Sequence, residues 1–185
     1  MKRSRIAFLA GSTALLLLVL SQAAPTSAAP APNVVSAATI GTITITGSQQ
    51  GPFTNNGSKT INIHAFQYGI SAPHDPQTGL PTGRRQHKPL TITKDLDQTS
   101  PEILQAITNN ESLTDVVVDV FLTANTPGAK TPVAEYHLQN ASINDDNQAA
   151  PGSAGRTQED VSFSFQKITV TIGGKVYTDT NGLPG

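Results

Sequence analysis

Short segments in which apolar and polar residues alternate dominate the chain after residue 38. An alternation with a period of two predicts half-buried β-strands, because successive side chains of a strand point to opposite faces of the sheet. Six segments show this pattern, and they span residues 39–47, 60–70, 87–96, 113–123, 133–143 and 159–174. The residues predicted to lie on the apolar faces of these strands are Ile43, Ile45, Ile61, Ile63, Ala65, Leu90, Ile92, Val116, Val118, Val120, Leu122, Ala134, Tyr136, Leu138, Val161, Phe163, Phe165, Ile168, Val170 and Ile172. We expect Val118 and Phe163 to be fully buried.

The last of these strands changes phase. Its apolar residues occupy odd positions up to Phe165 and even positions from Ile168 onwards. One regular strand cannot keep both sets on the same face, so the pattern predicts a β-bulge or a bend near Gln166 and Lys167.

One segment, residues 99–111, has the pattern of a helix. Ser100 is the predicted N-cap, Pro101 suits the first helical position, and Asn109 and Asn110 suit the end. The helix is too short to be stable alone, so we expect it to pack on the sheet through Ile103 and its neighbours.

The composition supports a mostly β fold with many turns. Aromatic residues make up 5% of the chain, Trp is absent, and Gly (15) and Pro (13) are frequent. The absence of Cys excludes disulfides, a thiol nucleophile and a cysteine zinc site. We predict a compact β-barrel of two sheets with one short flanking α-helix.

The N-terminal segment has the features of a secretory signal peptide. A basic start, MKRSR, precedes the apolar run at residues 6–20 and then a stretch of small residues. We predict a signal peptide at residues 1–23, with cleavage as late as residue 28, an Ala/Pro-rich tether at 24–38, and one domain at 39–185. The processed protein is expected to be secreted and free of the membrane. A retained membrane anchor is the alternative.

Removal of this peptide makes the chain acidic. Three of its 12 basic residues lie within residues 1–5, whereas all 13 acidic residues lie beyond residue 20. An acidic chain is a poor nucleic-acid binder, so no nucleic-acid partner is expected.

A long connection, residues 71–85, separates the second and third predicted strands, and the basic run RRQHK, residues 84–88, begins in its last two residues. The connection contains three prolines and shows no alternation, and connections of this length are often functional. Three interpretations of the run remain open: an assembly contact, a solvated strand entrance, and a site for a small anion or nucleic acid.

The residues from 70 to 113, ISAPHDPQTGLPTGRRQHKPLTITKDLDQTSPEILQAITNNESL, resemble the haemolysin-coregulated protein (Hcp) family, the tube protein of bacterial type VI secretion systems. The segments YHLQNASI and VSFSFQKI also resemble later strands of that family. The resemblance extends over residues 39–172. An export signal, an Ala/Pro tether and a short C-terminal end set this chain apart from typical members.

The resemblance implies a non-enzymatic protein that forms homohexameric rings, which stack into tubes and carry effector proteins. Under this interpretation the assembly interface includes Asp75, Arg84, Arg85, His87 and Lys88, and the basic groups pair with acidic groups of a neighbouring subunit. The acidic candidates are Asp75, Asp95 and Asp97. A secreted monomeric β-barrel that binds a surface ligand is the alternative function.

No catalytic, cofactor-binding or metal-binding residue is predicted. The four histidines, at positions 64, 74, 87 and 137, have no metal-ligand spacing, and no nucleophile motif or Gly-rich phosphate loop is present. Short acidic segments such as DTNG at 179–182 are interpreted as turns.

Overall fold

The computed structural model describes residues 38–121, 131–150 and 155–181. The predicted signal peptide and all but the last residue of the predicted tether lie outside this part of the chain. The elements in it are β1 (Gly41–Gly47), β2 (Gly51–Pro52), β3 (Ile61–Ile63), β4 (Ala65–Gln67), β5 (Ile70–Ser71), β6 (Gln86–His87), β7 (Leu90–Asp95), α1 (Ser100–Thr108), β8 (Leu113–Val120), β9 (Ala134–Ala149), β10 (Gln158–Ile172) and β11 (Lys175–Thr180). The prediction of a mostly β fold with one helix is confirmed for these residues. No helix among them is long and apolar enough to cross a membrane.

The described strands form two sheets. Nine strands make one antiparallel sheet, and β5 and β6 make a separate two-stranded sheet. The main strand order is β2-β1-β8-β9-β10-β7-β4, with β3 on β1 and β11 on β10. The two edge partners β3 and β4 are consecutive in the chain, separated only by His64. One segment therefore pairs with β1 through its first half and with β7 through its second half.

The predicted apolar faces form the core. Val118 and Phe163 are fully buried, as predicted, and the cluster around them draws on β1, β3, β7, β8, β9, β10 and α1. Two assignments are wrong: Ala65 is exposed and Ile172 is 52% exposed. Ala65 follows the change of partner at His64, which reverses the inward face, and Ile172 lies at the end of β10. Leu122 lies outside the described residues.

The predicted change of face on β10 occurs at Gln166 and Lys167, and it involves neighbouring strands. Buried positions shift from odd to even residues along β8 and, because the strands are antiparallel, from even to odd residues along β9 at the same level, where Asn140 of β9 has a φ of 48°. The pairing of β9 with β10 continues through this point, and its register shift lies instead at Ser162/Phe163. Because the strands change face together, their pairing needs no bulge there.

The helix ends at Thr108, before Asn109 and Asn110, as predicted. Its N-cap is Thr99, not Ser100, and Pro101 lies in the first turn. The Ser100 hydroxyl instead accepts the Asp97 N–H (3.1 Å) and donates to Glu159 of β10 (2.8 Å).

Candidate assembly surface

The connection predicted to be without structure is a β-hairpin. Strands β5 and β6 pair at its base, an isolated bridge joins His74 to Pro81, and Asp75 closes the turn by accepting the N–H groups of Gln77 and Thr78 at 2.7 and 3.1 Å. Almost all of the hairpin is exposed on both faces, which explains why its sequence shows no alternation. We refer to residues 70–87 as the arm.

A buried carboxylate, Asp179 of β11, holds the base of the arm. Arg85 donates to both oxygens of Asp179, which is only 6% exposed. His87 Nε2 lies 3.1 Å from Asp179 Oδ2, and the Tyr177 hydroxyl donates to the same oxygen at 2.7 Å. The N–H of Thr180 completes the set at 2.8 Å. We call these residues the Asp179 cluster.

The charge state of Asp179 follows from these donors. The hydrogen bonds from Arg85 have the largest effect and, with those from Tyr177, Thr180 and His87, they hold the pKa of Asp179 well below its ordinary value. Burial opposes this effect but does not overcome it. Asp179 is therefore an anion that the arm neutralises.

His87 connects the cluster to the core. Its Nδ1 lies 2.7 Å from the hydroxyl of Tyr68, and its side chain is 2% exposed. Burial first, and the neighbouring Tyr177 and Asp179, raise the pKa of Tyr68 to about 12, so this hydroxyl stays protonated. When Nε2–H of a neutral His87 donates to Asp179, Nδ1 accepts the Tyr68 O–H. Both polar atoms of the ring are then satisfied without water.

The topology explains why the arm and β11 meet. Residues 158–163 of β10 pair with β7, and residues 167–172 of the same strand pair with β11. Strands β7 and β11 thus lie end to end along one side of β10. The junction between them brings His87, just before β7, next to Asp179, at the end of β11.

The remaining basic residues of the run have no such partner. Arg84 and Lys88 are exposed, and neither side chain makes a hydrogen bond or an ion pair with the described residues. Lys88 lines an open pocket of about 320 Å³ together with Gln67, Tyr68, Gly69, Pro89, Thr91 and Ser162.

The acidic candidates Asp95 and Asp97 have partners within the chain. Asp95 pairs with Arg156, and its Oδ2 lies 3.1 Å from His64 Nε2. Asp97 accepts from Lys94 (3.0 Å) and from Thr99 (2.8 Å to the N–H).

A second buried ion pair lies beside Asp97. Lys94 and Glu159 face each other on β7 and β10, are 0% and 1% exposed, and are directly hydrogen-bonded. The Lys94 ammonium also donates to the carbonyl of Asp95 at 2.8 Å, and Ser100 donates to Glu159. The pair therefore fixes the start of α1 to the sheet.

The four histidines lie apart from one another. His64 lies beside Asp95, His74 bonds within the arm to Ala72 O at 2.7 Å, His87 belongs to the Asp179 cluster, and His137 pairs with Asp115. No group of three or more His, Asp or Glu residues in the described part of the chain is arranged to hold a metal ion.

Comparison with known proteins agrees with this architecture. Residues 39–172 match the family model described as "Type VI secretion system effector, Hcp". The chain belongs to the Hcp family. It is 38% identical over 117 residues to a protein named major exported protein of Pseudomonas aeruginosa, and this match covers 60% of the chain and 67% of that protein.

Solved Hcp structures share the fold. One crystal structure of an Hcp protein matches with a TM-score of 0.68 and 26% identity, over 76% of this chain and 98% of the other. The secreted protein Hcp3 from Pseudomonas aeruginosa matches with a TM-score of 0.59 and 28% identity, over 77% and 98% of the two chains.

The Hcp match ends at residue 172, so the anchor of the arm lies beyond it. Our interpretation of DTNG as a turn missed Asp179. A signal for β11 was nevertheless present, because Gly173 and Gly174 separate the alternating runs KITVTI and KVYTDT, and two glycines between such runs indicate a hairpin.

Sequence reasoning also missed the Lys94–Glu159 pair. Lys94 is in phase with Leu90 and Ile92, and Glu159 is in phase with Val161 and Phe163. Each charged residue thus occupies a position where the alternation predicts a buried apolar side chain. Two opposite charges at such positions could have indicated a buried ion pair.

Proposed function

We propose that this Hcp-family chain is a non-enzymatic structural protein that is exported, forms homohexameric rings, and stacks these rings into tubes that carry effector proteins. Family membership supports the tube role. The Pseudomonas aeruginosa relative is named major exported protein, which supports export of this chain. The proposal includes the signal peptide at residues 1–23 as the route.

The assembly proposal rests on one observation: the arm is exposed along most of its length, yet its base is held by a buried carboxylate. An exposed hairpin loses conformational entropy without burying apolar surface in its own subunit. Here its base is nonetheless fixed by a buried carboxylate, while Arg84 and Lys88 remain available for another molecule. Arg85 and His87 accordingly contribute to assembly by holding the arm, and Asp75 by shaping its turn.

Sedimentation and light scattering of residues 24–185 test this function. We expect a species six times the monomer mass, rings in negative-stain images, and a shift towards smaller species at high salt, which screens exposed ion pairs. A chain that stays monomeric at all accessible concentrations would contradict the proposal and favour the monomeric binding module.

A further inference from the structure

Strand β11 has one paired side and one free side. It pairs with residues 167–172 of β10, and no second strand among the described residues pairs with its other side. The hairpin that it forms with β10 carries three exposed apolar side chains, which are Ile172 (52%), Val176 (66%) and Tyr177 (48%). An exposed apolar edge strand is a template for pairing with another strand. This strand also lies beyond residue 172, where the Hcp match ends.

The turn of this hairpin determines the direction of the backbone groups in β11. Gly173 and Gly174 form a two-residue turn with φ values of 56° and 78°, which is the usual geometry of a tight hairpin. Ile172 and Lys175 flank the turn and therefore exchange both backbone hydrogen bonds. Because such pairs recur at every second residue of an antiparallel ladder, the backbone groups of Lys175 and of every second residue after it point towards β10.

The backbone groups of the residues in between point to the free side. These residues are Val176, Thr178 and Thr180. The N–H of Thr180 is already used, because it donates to Asp179 Oδ1 at 2.8 Å. The outward backbone groups of Val176 and Thr178 have no partner among the described residues. These two residues therefore offer two N–H donors and two C=O acceptors at one exposed edge.

A second free edge of the sheet has a different character. In the described part of the chain, residues 142–149 of β9 pair with a strand on one side only. This edge carries Asp145 and Asp146, and charged residues discourage the addition of a strand. The run VYT at 176–178 of β11 instead consists of residue types that favour strands. Of the two edges, β11 is therefore the one suited to receive another strand.

We propose that the free edge of β11 pairs antiparallel with β11 of a second copy of the chain, about a two-fold axis at Tyr177. In this register Val176 of each copy lies opposite Thr178 of the other. Each of these two symmetric pairs exchanges two backbone hydrogen bonds, so all the free groups of both copies are used. Main-chain hydrogen bonds between edge strands are a recurring source of affinity.

The same register is favoured over its neighbours. A shift by two residues in one direction places Gly174 of the turn opposite Thr178, and Gly174 is not in an extended conformation. A shift in the other direction requires the N–H of Thr180, which Asp179 already accepts. In the proposed register Lys175 lies opposite Asp179, so no like charges face each other across the two strands.

This contact is separate from the proposed ring. Both copies use the same surface, so the contact is isologous and closes after two copies. It cannot generate a six-fold ring by itself. It joins two subunits, or two rings, face to face.

The variant Thr178→Pro tests the backbone hydrogen bonds. The N–H of Thr178 points away from β10, so proline removes a donor of the contact and no bond of the hairpin. We expect the dissociation constant of the pair, measured by sedimentation of residues 24–185, to rise about tenfold or more. Thr178→Val is the matched control, because it keeps the N–H and suits a strand. Circular dichroism shows whether each variant is folded.

Disulfide trapping tests the register. Tyr177 lies opposite its own copy at a non-hydrogen-bonded position, where Cα atoms are about 4.5 Å apart, within the range of a disulfide. The chain contains no Cys, so Tyr177→Cys introduces a single thiol. Mild oxidation should give a covalent dimer about tenfold faster than for Leu104→Cys. Leu104 is the matched control, since it lies on α1 and is 46% exposed, against 48% for Tyr177.

The outcomes separate this contact from the proposed function. Six-copy rings that neither cross-link through Tyr177→Cys nor respond to Thr178→Pro would overturn the edge contact and leave the ring standing. Covalent dimers without rings would support the edge contact and contradict the ring. Equally fast cross-linking of Leu104→Cys would overturn the contact. Loss of pairing on Val34→Pro with Val35→Pro would overturn it too, because the pairing strand would then come from the tether. A strictly monomeric wild type would overturn both proposals.

Discussion

Asp179 and Asp119 are two aspartates of the same sheet in opposite surroundings. Asp179 receives donors from Arg85, Tyr177 and His87, and its pKa is lowered. Asp119 faces Glu135, and its pKa is raised by burial and by that charge. The difference indicates that carboxylates saturated by the chain's own donors hold the fold together. A carboxylate left opposite a like charge destabilises the sheet instead.

Glu159 resembles Asp179, because it is a buried carboxylate that accepts hydrogen bonds from the chain's own donors, and it is the more deeply buried of the two. Glu111 is a third buried carboxylate of this kind. Burial alone would raise its pKa, but hydrogen bonds from Gln50 and Gln49 lower it below the ordinary value. Glu159 fixes the start of α1 to the sheet, and Glu111, just after the end of α1, binds the β1–β2 turn.

The largest effect is expected for Glu159→Ala. This change leaves the Lys94 ammonium buried without its main partner, which typically costs about 3–5 kcal/mol in the free energy of unfolding. Urea denaturation measures this loss. The double variant Lys94→Met with Glu159→Leu should recover most of it, since an apolar pair needs no charge compensation. A single-variant loss below about 1 kcal/mol would mean that water reaches Lys94.

An intermediate effect is expected for Asp179→Asn. Loss of the charge weakens the hydrogen bonds from Arg85, His87 and Tyr177, and we expect a cost of about 1–3 kcal/mol at neutral pH. Tryptic cleavage at Arg84 and Arg85 should become faster, because the base of the arm is released. Unchanged cleavage in a destabilised variant would show that the cluster stabilises β11 but not the arm.

The stability difference between the wild type and Asp179→Asn should depend on pH, because the pKa of Asp179 is lowered in the folded state. A carboxylate with a lowered pKa in the folded state contributes stability above its unfolded-state pKa, near 3.9, and loses it as the pH falls through the folded-state value. The advantage of the wild type over Asp179→Asn should thus be complete at neutral pH and shrink below about pH 4. A constant difference down to pH 2 would contradict the ionic account.

The smallest effect is expected for Asp119→Asn, and it has the opposite sign. Removing one of two opposed charges should stabilise the isolated monomer by about 0.5 kcal/mol at neutral pH. Because the folded-state pKa of Asp119 is raised, the wild type regains stability as the pH falls through that value, and the difference should vanish in acid. Glu135→Gln should give a similar gain at neutral pH, and the two gains should not add. Additive gains would show that each carboxylate is destabilised independently.

The local pattern of apolar, polar and turn-forming residues was sufficient to predict much of the fold. The period of two in segments such as 39–47 predicted strand faces, because side-chain direction in a strand depends only on position along the strand. Pro101 and Asn109 indicated the position of α1 for a similar reason, since backbone geometry near a proline or a helix end is decided by a few adjacent residues. The long run from 70 to 113 was enough to suggest the Hcp family, which the comparisons confirmed.

Partners distant in sequence required the tertiary structure. Arg85 and Asp179 are 94 positions apart, and they meet only because β7 and β11 share one side of β10. The partner change at His64 and the common change of face at Asn140 likewise depend on which strands are adjacent. The sequence by itself determined which residues alternate, where the helix ends and which family the chain resembles. Only the tertiary structure decided that Arg85 holds the arm while Arg84 stays available, because strand pairing, and not local periodicity, selects the charges that meet.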